Sequence, residues 1–190
     1  MSKKVIGAVG KNGSGKDTVL DIIAERYSLP SISMGDIVRD IAREKGIEPT
    51  RKNLNEISQS YFEMHGKDYF IRLVIERIDS TDDPFTVVTG VRTHLDAQTL
   101  KDRYGSDFYL IHVVVTDDEE RLRRAIARAS ARDPKTLEEL RLHDEREERV
   151  FGIEKAAALA THTIANDGGL SELEEAVAGW VKENLPELTR

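Results

Sequence analysis

A short apolar segment that runs directly into a glycine-rich loop constrains this chain more than any other feature. Residues 5–9 are apolar on both faces, which is typical of a central parallel strand. The next loop places Gly10, Gly15 and Lys16 in the spacing G-x-x-x-x-G-K, and an apolar helical period follows it. Glycines let successive backbone N–H groups point inward, and the helix adds its positive N-terminal end. This strand–loop–helix unit predicts a binding site for phosphate groups.

The residues of this loop are candidate ligands for the phosphates of a nucleotide. Lys16 supplies a positive charge that can reach the outer phosphates. The pattern requires Ser or Thr after the lysine, as a hydroxyl ligand for Mg²⁺, but Asp17 stands there and Thr18 comes next. We interpret Thr18 as the metal-side hydroxyl and Asp17 as an additional carboxylate near the metal. A simple turn without a ligand would leave the loop's glycines and lysine unexplained. The predicted nucleotide-binding residues here are Gly10, Lys11, Asn12, Gly13, Ser14, Gly15, Lys16, Asp17 and Thr18.

The composition limits the class of protein. The chain of 190 residues is long enough for one domain with a substantial core, and 33% charged with 39% hydrophobic residues is typical of a globular protein. The net charge is −7, whereas a general nucleic-acid binder is usually basic, so we expect no nucleic-acid partner. There is no cysteine and no apolar run of the roughly 20 residues that span a bilayer. We therefore expect a cytoplasmic protein without a membrane partner, and the oligomeric state stays open.

Strand-like segments alternate with helical periods along the chain. Strands are predicted at residues 5–9, 31–34, 85–88, 108–115 and 161–165. The alternation predicts one three-layer α/β domain over residues 1–190, with a parallel sheet of about five strands. Ligands of such sheets bind beyond the carboxyl ends of the strands. Polar clusters follow four of the predicted strands, at residues 10–16, 35–36, 90–92 and 166–169.

A predicted helix that follows the fourth strand carries four arginines, and their spacings place them on one face of the helix. They are Arg121, Arg124, Arg128 and Arg132. Asp117 and Glu120 stand four residues before the first two and could pair with them on a solvated face. The last two have no acid in that position. We therefore favour phosphate contact by Arg124 and Arg128 over a purely solvated face.

Polar residues after the second and third strands are candidates for binding a second substrate. Asp36 could equally be an N-cap, and Arg39, one turn on, could equally be an ordinary surface residue. Arg92 follows the third strand at the edge where the phosphate loop lies, which favours anion binding by a small margin. The five histidines show neither i,i+4 pairing nor clustering with carboxylates, so they do not indicate a metal site.

These motifs resemble the nucleoside-monophosphate-kinase group of P-loop phosphotransferases, in its adenylate-kinase-like branch. The chain is especially similar to a largely archaeal set of small nucleotide kinases, some of them dephospho-CoA-kinase-like. The resemblance covers nearly the full length, and it places Thr18 on the family's phosphate-loop threonine. It implies a P-loop NTPase fold with an acceptor-binding helical insert at about residues 35–80 and a short helical lid at about residues 129–150.

The resemblance also implies roles for single residues. Ser33-Met-Gly35-Asp36-x-x-Arg39 matches the start of the acceptor-binding helix, whose arginine holds the acceptor phosphate, and Gly90-Val-Arg92 is similar to a second acceptor motif. Arg124-x-x-x-Arg128 matches the arginine pair that enters the lid, the first of which stacks on adenine. Residues 161–169 resemble a late base-contacting strand and loop, which adds Asn166 to the ATP-binding set.

One family feature is missing. The third strand often ends in an acid that supports Mg²⁺ through water, but Thr89 and Gly90 stand there, so either Asp17 compensates or catalysis is weak. We predict an Mg²⁺-dependent transfer of the γ-phosphoryl group of ATP to a small anionic acceptor, preferably a nucleoside monophosphate, with Lys16, Arg124 and Arg128 as catalytic residues. A dephospho-CoA kinase and a nucleotide-binding switch or slow ATPase acting on a protein partner are the alternatives.

Overall fold

A computed structural model describes residues 3–128 and 133–189 of the chain. The strands are β1 (Lys4–Val9), β2 (Ser31–Ser33), β3 (Phe85–Thr89), β4 (Phe108–Val114) and β5 (His162–Ala165). The helices before β4 are α1 (Lys16–Arg26), α2 (Met34–Glu44), α3 (Arg51–His65), α4 (Tyr69–Asp79) and α5 (His94–Tyr104). Those after β4 are α6 (Asp118–Arg128), α7 (Leu137–Phe151), α8 (Ile153–Ala157) and α9 (Leu170–Asn184). Short 3-10 turns span Gly105–Asp107 and Pro186–Thr189.

The strands form one parallel sheet in the order β2-β3-β1-β4-β5. Its central strand, β1, is apolar on both faces because helices cover both sides. Val5 and Val9 pack into the core formed with α2, α4 and α5, whereas Ile6 and Ala8 pack into the core formed with α1 and α9. The predicted three-layer α/β P-loop fold with five parallel strands is therefore confirmed.

The crossover order brings the polar segments to one edge of the sheet. The carboxyl ends of β1, β3 and β5 lead into the loop at residues 10–15, the turn at residues 90–93 and the segment that begins at Asn166. Strand β2 runs directly into α2, with Ser33 as the N-cap residue. All candidate residues named from the sequence thus belong to elements that begin or end near this edge.

The predicted insert and lid correspond to recognisable segments. Helices α2, α3 and α4 occupy residues 35–80, and most of α7 lies within residues 129–150. Residues 129–132, with Arg132, lie outside the described residues. The roles of the two segments as acceptor insert and lid stay predictions. In the described ranges, every helix is too short or too polar to cross a bilayer.

Candidate active site

The phosphate loop is shaped by backbone conformations that favour glycine. Gly13 and Gly15 have φ values of +80° and +86°, which side-chain-bearing residues rarely adopt. A Cβ atom at Gly15 would overlap the Asn166 amide, and one at Gly13 would lie 3.2 Å from the Arg121 carbonyl oxygen. Inside the loop, the Ser14 N–H donates to the Lys11 carbonyl oxygen at 3.1 Å. Glycine is therefore required here both by conformation and by close packing.

The first turn of α1 begins at this loop without a side-chain cap. Its N-terminal N–H groups and its positive dipole end therefore face the loop, which suits an anion. Lys16 is the first residue of α1 and is half-buried, and no carboxylate in residues 3–128 or 133–189 forms an ion pair with it. Its charge is thus available to a bound phosphate.

The oxygen ligands beside Lys16 suit a magnesium ion that is bound jointly by the protein and by the phosphates of a substrate. Asp17 and Thr18 are exposed in the first turn of α1 and offer a carboxylate and a hydroxyl oxygen. The buried Ser14 hydroxyl has no hydrogen-bond partner among the described residues. The same residues contain no cluster of three or more His, Cys, Asp or Glu side chains that could hold a metal alone. Mg²⁺ commonly binds through one or two protein oxygens plus phosphates, so this donor set suits it.

Asn166, which the resemblance adds to the ATP-binding set, contacts the phosphate loop directly. Its side chain is buried, and its Nδ2 donates to the Ser14 carbonyl oxygen at 2.9 Å. Its backbone N–H donates to the Val114 carbonyl oxygen at 2.8 Å. Asn166 therefore braces the phosphate loop from the end of β5, and its assignment to the ATP-binding set stays a prediction. A contact between residues 152 positions apart in the chain leaves no local pattern in the sequence.

Arg121 is a buried residue of the site that sequence analysis treated as part of a solvated face. Its side chain is 1% exposed and pairs with Asp118 and Asp144, both at 2.6 Å, and not with Asp117. Its Nη1 also donates to the Asn12 carbonyl oxygen at 3.2 Å. Burial lowers the pKa of Arg121, but the hydrogen bonds to Asp144 and Asp118 outweigh this effect and leave the pKa raised.

The two arginines assigned to phosphate contact both have acidic partners. The predicted pair of Arg124 with Glu120 is confirmed at 2.7 Å, and Arg124 also donates to the Gly168 carbonyl oxygen at 3.0 Å. Arg128, which has no acid four residues before it, pairs with Asp133 at 2.7 Å. The partner follows Arg128 in the chain, and the search for i,i+4 acids before each arginine could not find it.

Arg128 nevertheless lies at the phosphate loop. Its Nη2 is 3.4 Å from the Asn12 side-chain oxygen. The hydrogen bond to Asp133 raises the pKa of Arg128, and the charge of Asp17 raises it further. Arg128 and Asn12 are thus in contact at the loop, and Asp17 lies near enough for its charge to act on Arg128.

On the opposite side of the loop, Asp36 and Arg39 form an exposed ion pair at 2.5 Å. Asp36 is the third residue of α2, and Ser33 occupies the N-cap position, so the interpretation of Asp36 as an N-cap was wrong. Arg92 is exposed, and its guanidinium lies 5.7 Å from the centre of the Phe151 ring. None of the described carboxylates lies within 4 Å of this guanidinium in an ion pair.

Asp96 supports the turn that presents Arg92, and sequence analysis missed it. It is 5% exposed and forms a capping box with Thr93 at the start of α5. Its carboxylate accepts hydrogen bonds from the N–H groups of Thr93 at 2.9 Å and Arg92 at 3.4 Å. Burial raises the pKa of Asp96, and the hydrogen bonds, which lower it, offset this only in part. The pattern Thr93-x-x-Asp96 is a local capping motif and could have been found in the sequence.

A cavity of about 850 Å³ opens beside the phosphate loop, between β4, α7 and α8. Lys11 lies on its loop side, and burial lowers the pKa of His112 on β4. The α7 and α8 walls contribute Asp144, Glu148, Arg149 and Glu154 among others. The cavity thus has carboxylates and Arg149 on its helical wall and the ammonium of Lys11 on its loop side.

Comparison with known proteins agrees with this geometry. An AAA domain family model matches residues 9–141. A UPF0200 protein of Hyperthermus butylicus is 37% identical over 171 residues, which cover 90% of this chain and 89% of that protein. The chain belongs to the AAA domain and UPF0200 families. A further UPF0200 protein, of Thermococcus gammatolerans, is 30% identical over 98% of both chains.

Solved structures show the same fold at greater distance. TT1252 from Thermus thermophilus superposes on this UPF0200 chain with a TM-score of 0.65 at 21% identity, covering 96% of this chain and 98% of that one. Shikimate kinase from Acinetobacter baumannii, solved in complex with shikimate, has a TM-score of 0.59 at 16% identity, covering 97% and 94%. The P-loop kinase-like grouping that the motifs indicated is confirmed.

Proposed function

We propose that this protein transfers the γ-phosphoryl group of ATP to a small acceptor, with a nucleoside monophosphate as the preferred acceptor class. One observation carries the proposal: an uncapped helix start and the unpaired Lys16 face the loop edge, and Arg92 follows a strand that ends at the same edge. A phosphate donor on one side and an anionic acceptor on the other would use both sets of charges.

Catalysis in this proposal is positioning and charge neutralisation. Backbone N–H groups from Gly13 to Lys16 would bind the donor phosphates, and the Lys16 ammonium would stabilise charge on the transferred group. Mg²⁺, bound with ATP, would neutralise phosphate oxygens, and Thr18 and Asp17 are the residues placed to hold it. A monophosphate acceptor is already an anionic nucleophile, so no strong general base is needed.

Arg124 and Arg128 would act from α6. Both must exchange part of their present contacts, with Glu120 and Asp133, for phosphate oxygens. A phosphate group offers a bidentate partner of higher charge than a carboxylate, so the exchange is favourable when the donor is bound. This exchange would close the lid segment over the donor and exclude water from the transferred group.

The wall of the cavity favours a second candidate acceptor class. A hydroxyl acceptor, such as the one in dephospho-CoA, benefits from a carboxylate that accepts its proton. Glu145 and Glu148 line the cavity beside the loop, in addition to Asp17 and Asp36 near the edge. An acceptor with hydroxyl groups would therefore find more hydrogen-bond acceptors here than a second phosphate would find cations.

The test measures ADP formation from Mg-ATP with and without acceptor in an Arg39→Ala variant. For a kinase we expect a raised KM for the acceptor and unchanged acceptor-free hydrolysis, because Arg39 would contact only the acceptor. Arg43→Ala is the matched control, since Arg43 lies one turn further on α2 and its side chain is 77% exposed in a pair with Asp40. Hydrolysis that no acceptor changes, in wild type and both variants, would instead indicate a nucleotide-binding switch.

A further inference from the structure

Helix α7 is tied to the phosphate loop through a single carboxylate. Asp144 accepts two hydrogen bonds from Arg121, at 3.1 Å from Nη1 and 2.6 Å from Nη2. Nη1 of the same guanidinium donates to the carbonyl oxygen of Asn12, within the loop, at 3.2 Å. Asp144 also lies 3.9 Å from the ammonium of Lys11. The loop backbone, α6 and α7 thus meet at one guanidinium.

The contact between Arg121 and Asp144 is buried, which makes it costly to break. The side chain of Arg121 is 1% exposed and that of Asp144 is 12% exposed. A buried guanidinium that lost Asp144 would keep one acidic partner, Asp118, instead of two, so separation of the pair is costly. Asp118 binds the same guanidinium, but it lies on the same helix as Arg121 and its side chain is 42% exposed. The Asp144 bonds, unlike those of Asp118, join a second helix to the guanidinium that contacts the loop.

Lys11 and Arg121 differ in how firmly they are held. Lys11 is 53% exposed and its contact with Asp144 is long, so a phosphate can draw its ammonium away at little cost. Arg121 keeps its short bonds to Asp144 and to the loop carbonyl in that event. The contact of Arg121 with Asp144 would therefore hold the loop in place while the Lys11 ammonium moves toward the phosphates of the bound ATP.

We propose that Arg121 and Asp144 are positioning residues that set the phosphate loop for the donor phosphates and link it to α7. This role rests on the proposed function, since it requires a phosphate donor at the loop. It also connects the two substrates, because Asp144 contacts the loop through Arg121 and lines the cavity beside it. The residues would act through the loop backbone and without touching the reacting atoms.

The experiment compares Asp144→Asn with Asp118→Asn, using Mg-ADP as the probe in calorimetry on the full chain. Removal of an acid beside an anion site should by charge alone tighten Mg-ADP binding in both variants. The positioning role predicts the opposite for Asp144→Asn, about tenfold weaker binding and a raised KM for ATP with little change in kcat. Asp118→Asn should bind Mg-ADP as well as wild type or better, because the bond to α7 is kept.

Thermal unfolding separates folding from binding in this comparison. A folded Asp144→Asn protein that binds Mg-ADP as tightly as wild type would overturn the positioning role, and so would equal weakening in both variants. Arg121→Lys serves as the second test, because an ammonium has three N–H donors and cannot replace the five hydrogen bonds that the guanidinium makes to Asp118, Asn12 and Asp144. We expect it to weaken binding similarly, with no further loss in the double variant. Absence of Mg-ADP binding in wild type would refute the proposed function itself, whatever the variants show.

Discussion

The phosphate loop and the arginine helix α6 face the same site but are built in different ways. The loop is held by backbone conformation, by close packing against Asn166 and by hydrogen bonds between main-chain groups. Its cation, Lys16, has no ion pair in the described ranges. On α6 each candidate cation is held by acids, with Glu120 at Arg124 and Asp133 at Arg128. The comparison suggests that the loop is ready for a phosphate, whereas the arginines must first release a partner.

Removal of the Lys16 ammonium should have the largest effect. We expect Lys16→Ala to lower kcat by at least about 100-fold, because a charge that stabilises the transition state is lost without any competing partner. Steady-state ADP formation measures this. Lys182→Ala, on the exposed side of α9, is the control and should keep wild-type turnover. Unchanged turnover in Lys16→Ala would refute the assignment of the loop as the donor site.

A methyl group in the loop tests whether its geometry is as close-packed as described. Gly15→Ala places a Cβ atom against the Asn166 amide in a left-handed conformation, which should cost about 2 kcal/mol of stability and weaken nucleotide binding. Gly46→Ala is the matched control, because Gly46 also has a positive φ, of +65°, but no atom within 4 Å. Chemical denaturation and Mg-ADP titration should show a loss of affinity in the first variant alone. Equal affinity in both would mean that the packing is not needed for binding.

The paired arginines should matter less than Lys16. We expect Arg128→Ala to reduce kcat by roughly tenfold, because the gain from a phosphate contact is partly offset by the lost pair with Asp133. Arg123→Ala is the control on the same helix, since Arg123 pairs with Glu120 and is 73% exposed. A loss in Arg128→Ala equal to that in Lys16→Ala would remove the proposed difference between the two regions.

On the acceptor side, Arg92→Ala should raise the KM for the acceptor about fivefold and leave acceptor-free hydrolysis unchanged. Arg92, like Lys16, forms no ion pair with a described carboxylate, but it is exposed to water and therefore contributes less. Arg26→Ala, at the end of α1 away from the loop, is the control for loss of a surface arginine and should leave the acceptor KM unchanged. An unchanged acceptor KM would exclude Arg92 from the acceptor site.

The smallest expected effect concerns the stability of the fold at acidic pH. The hydrogen bonds that Arg123 and, to a smaller extent, Arg124 donate to Glu120 lower its pKa from 4.5 to about 2. A carboxylate whose pKa is lower in the folded chain stabilises the fold fully above pH 4.5, and this contribution is lost as the pH falls toward 2. We expect Glu120→Gln to reduce the dependence of unfolding on pH within this range. An unchanged slope in denaturation experiments between pH 2 and 4.5 would contradict it.

The two regions also differ in how well the sequence predicts them. The loop and strands could be predicted because glycine spacing and apolar runs are local patterns, and the structure has strands at each predicted segment. On α6 the pair of Arg124 with Glu120 could be predicted from its i,i+4 spacing, but that of Arg121 with Asp144, 23 residues away, could not. The contact of the loop's Ser14 with Asn166, across 152 residues, has no local pattern either. Helical periodicity placed Arg121 on an exposed face, but its contact with another helix buries it. The capping box of Asp96 could also have been found from local spacing.

The central claim is phosphoryl transfer from ATP bound at the loop to an acceptor at the same edge of the sheet. The most direct measurement is ADP formation from Mg-ATP by the wild-type protein, first alone and then with each nucleoside monophosphate, each deoxy form and dephospho-CoA. Our account predicts a large stimulation by one acceptor, with formation of its phosphorylated product in equal amount to ADP. A slow rate that stays the same across the whole set of acceptors would contradict it.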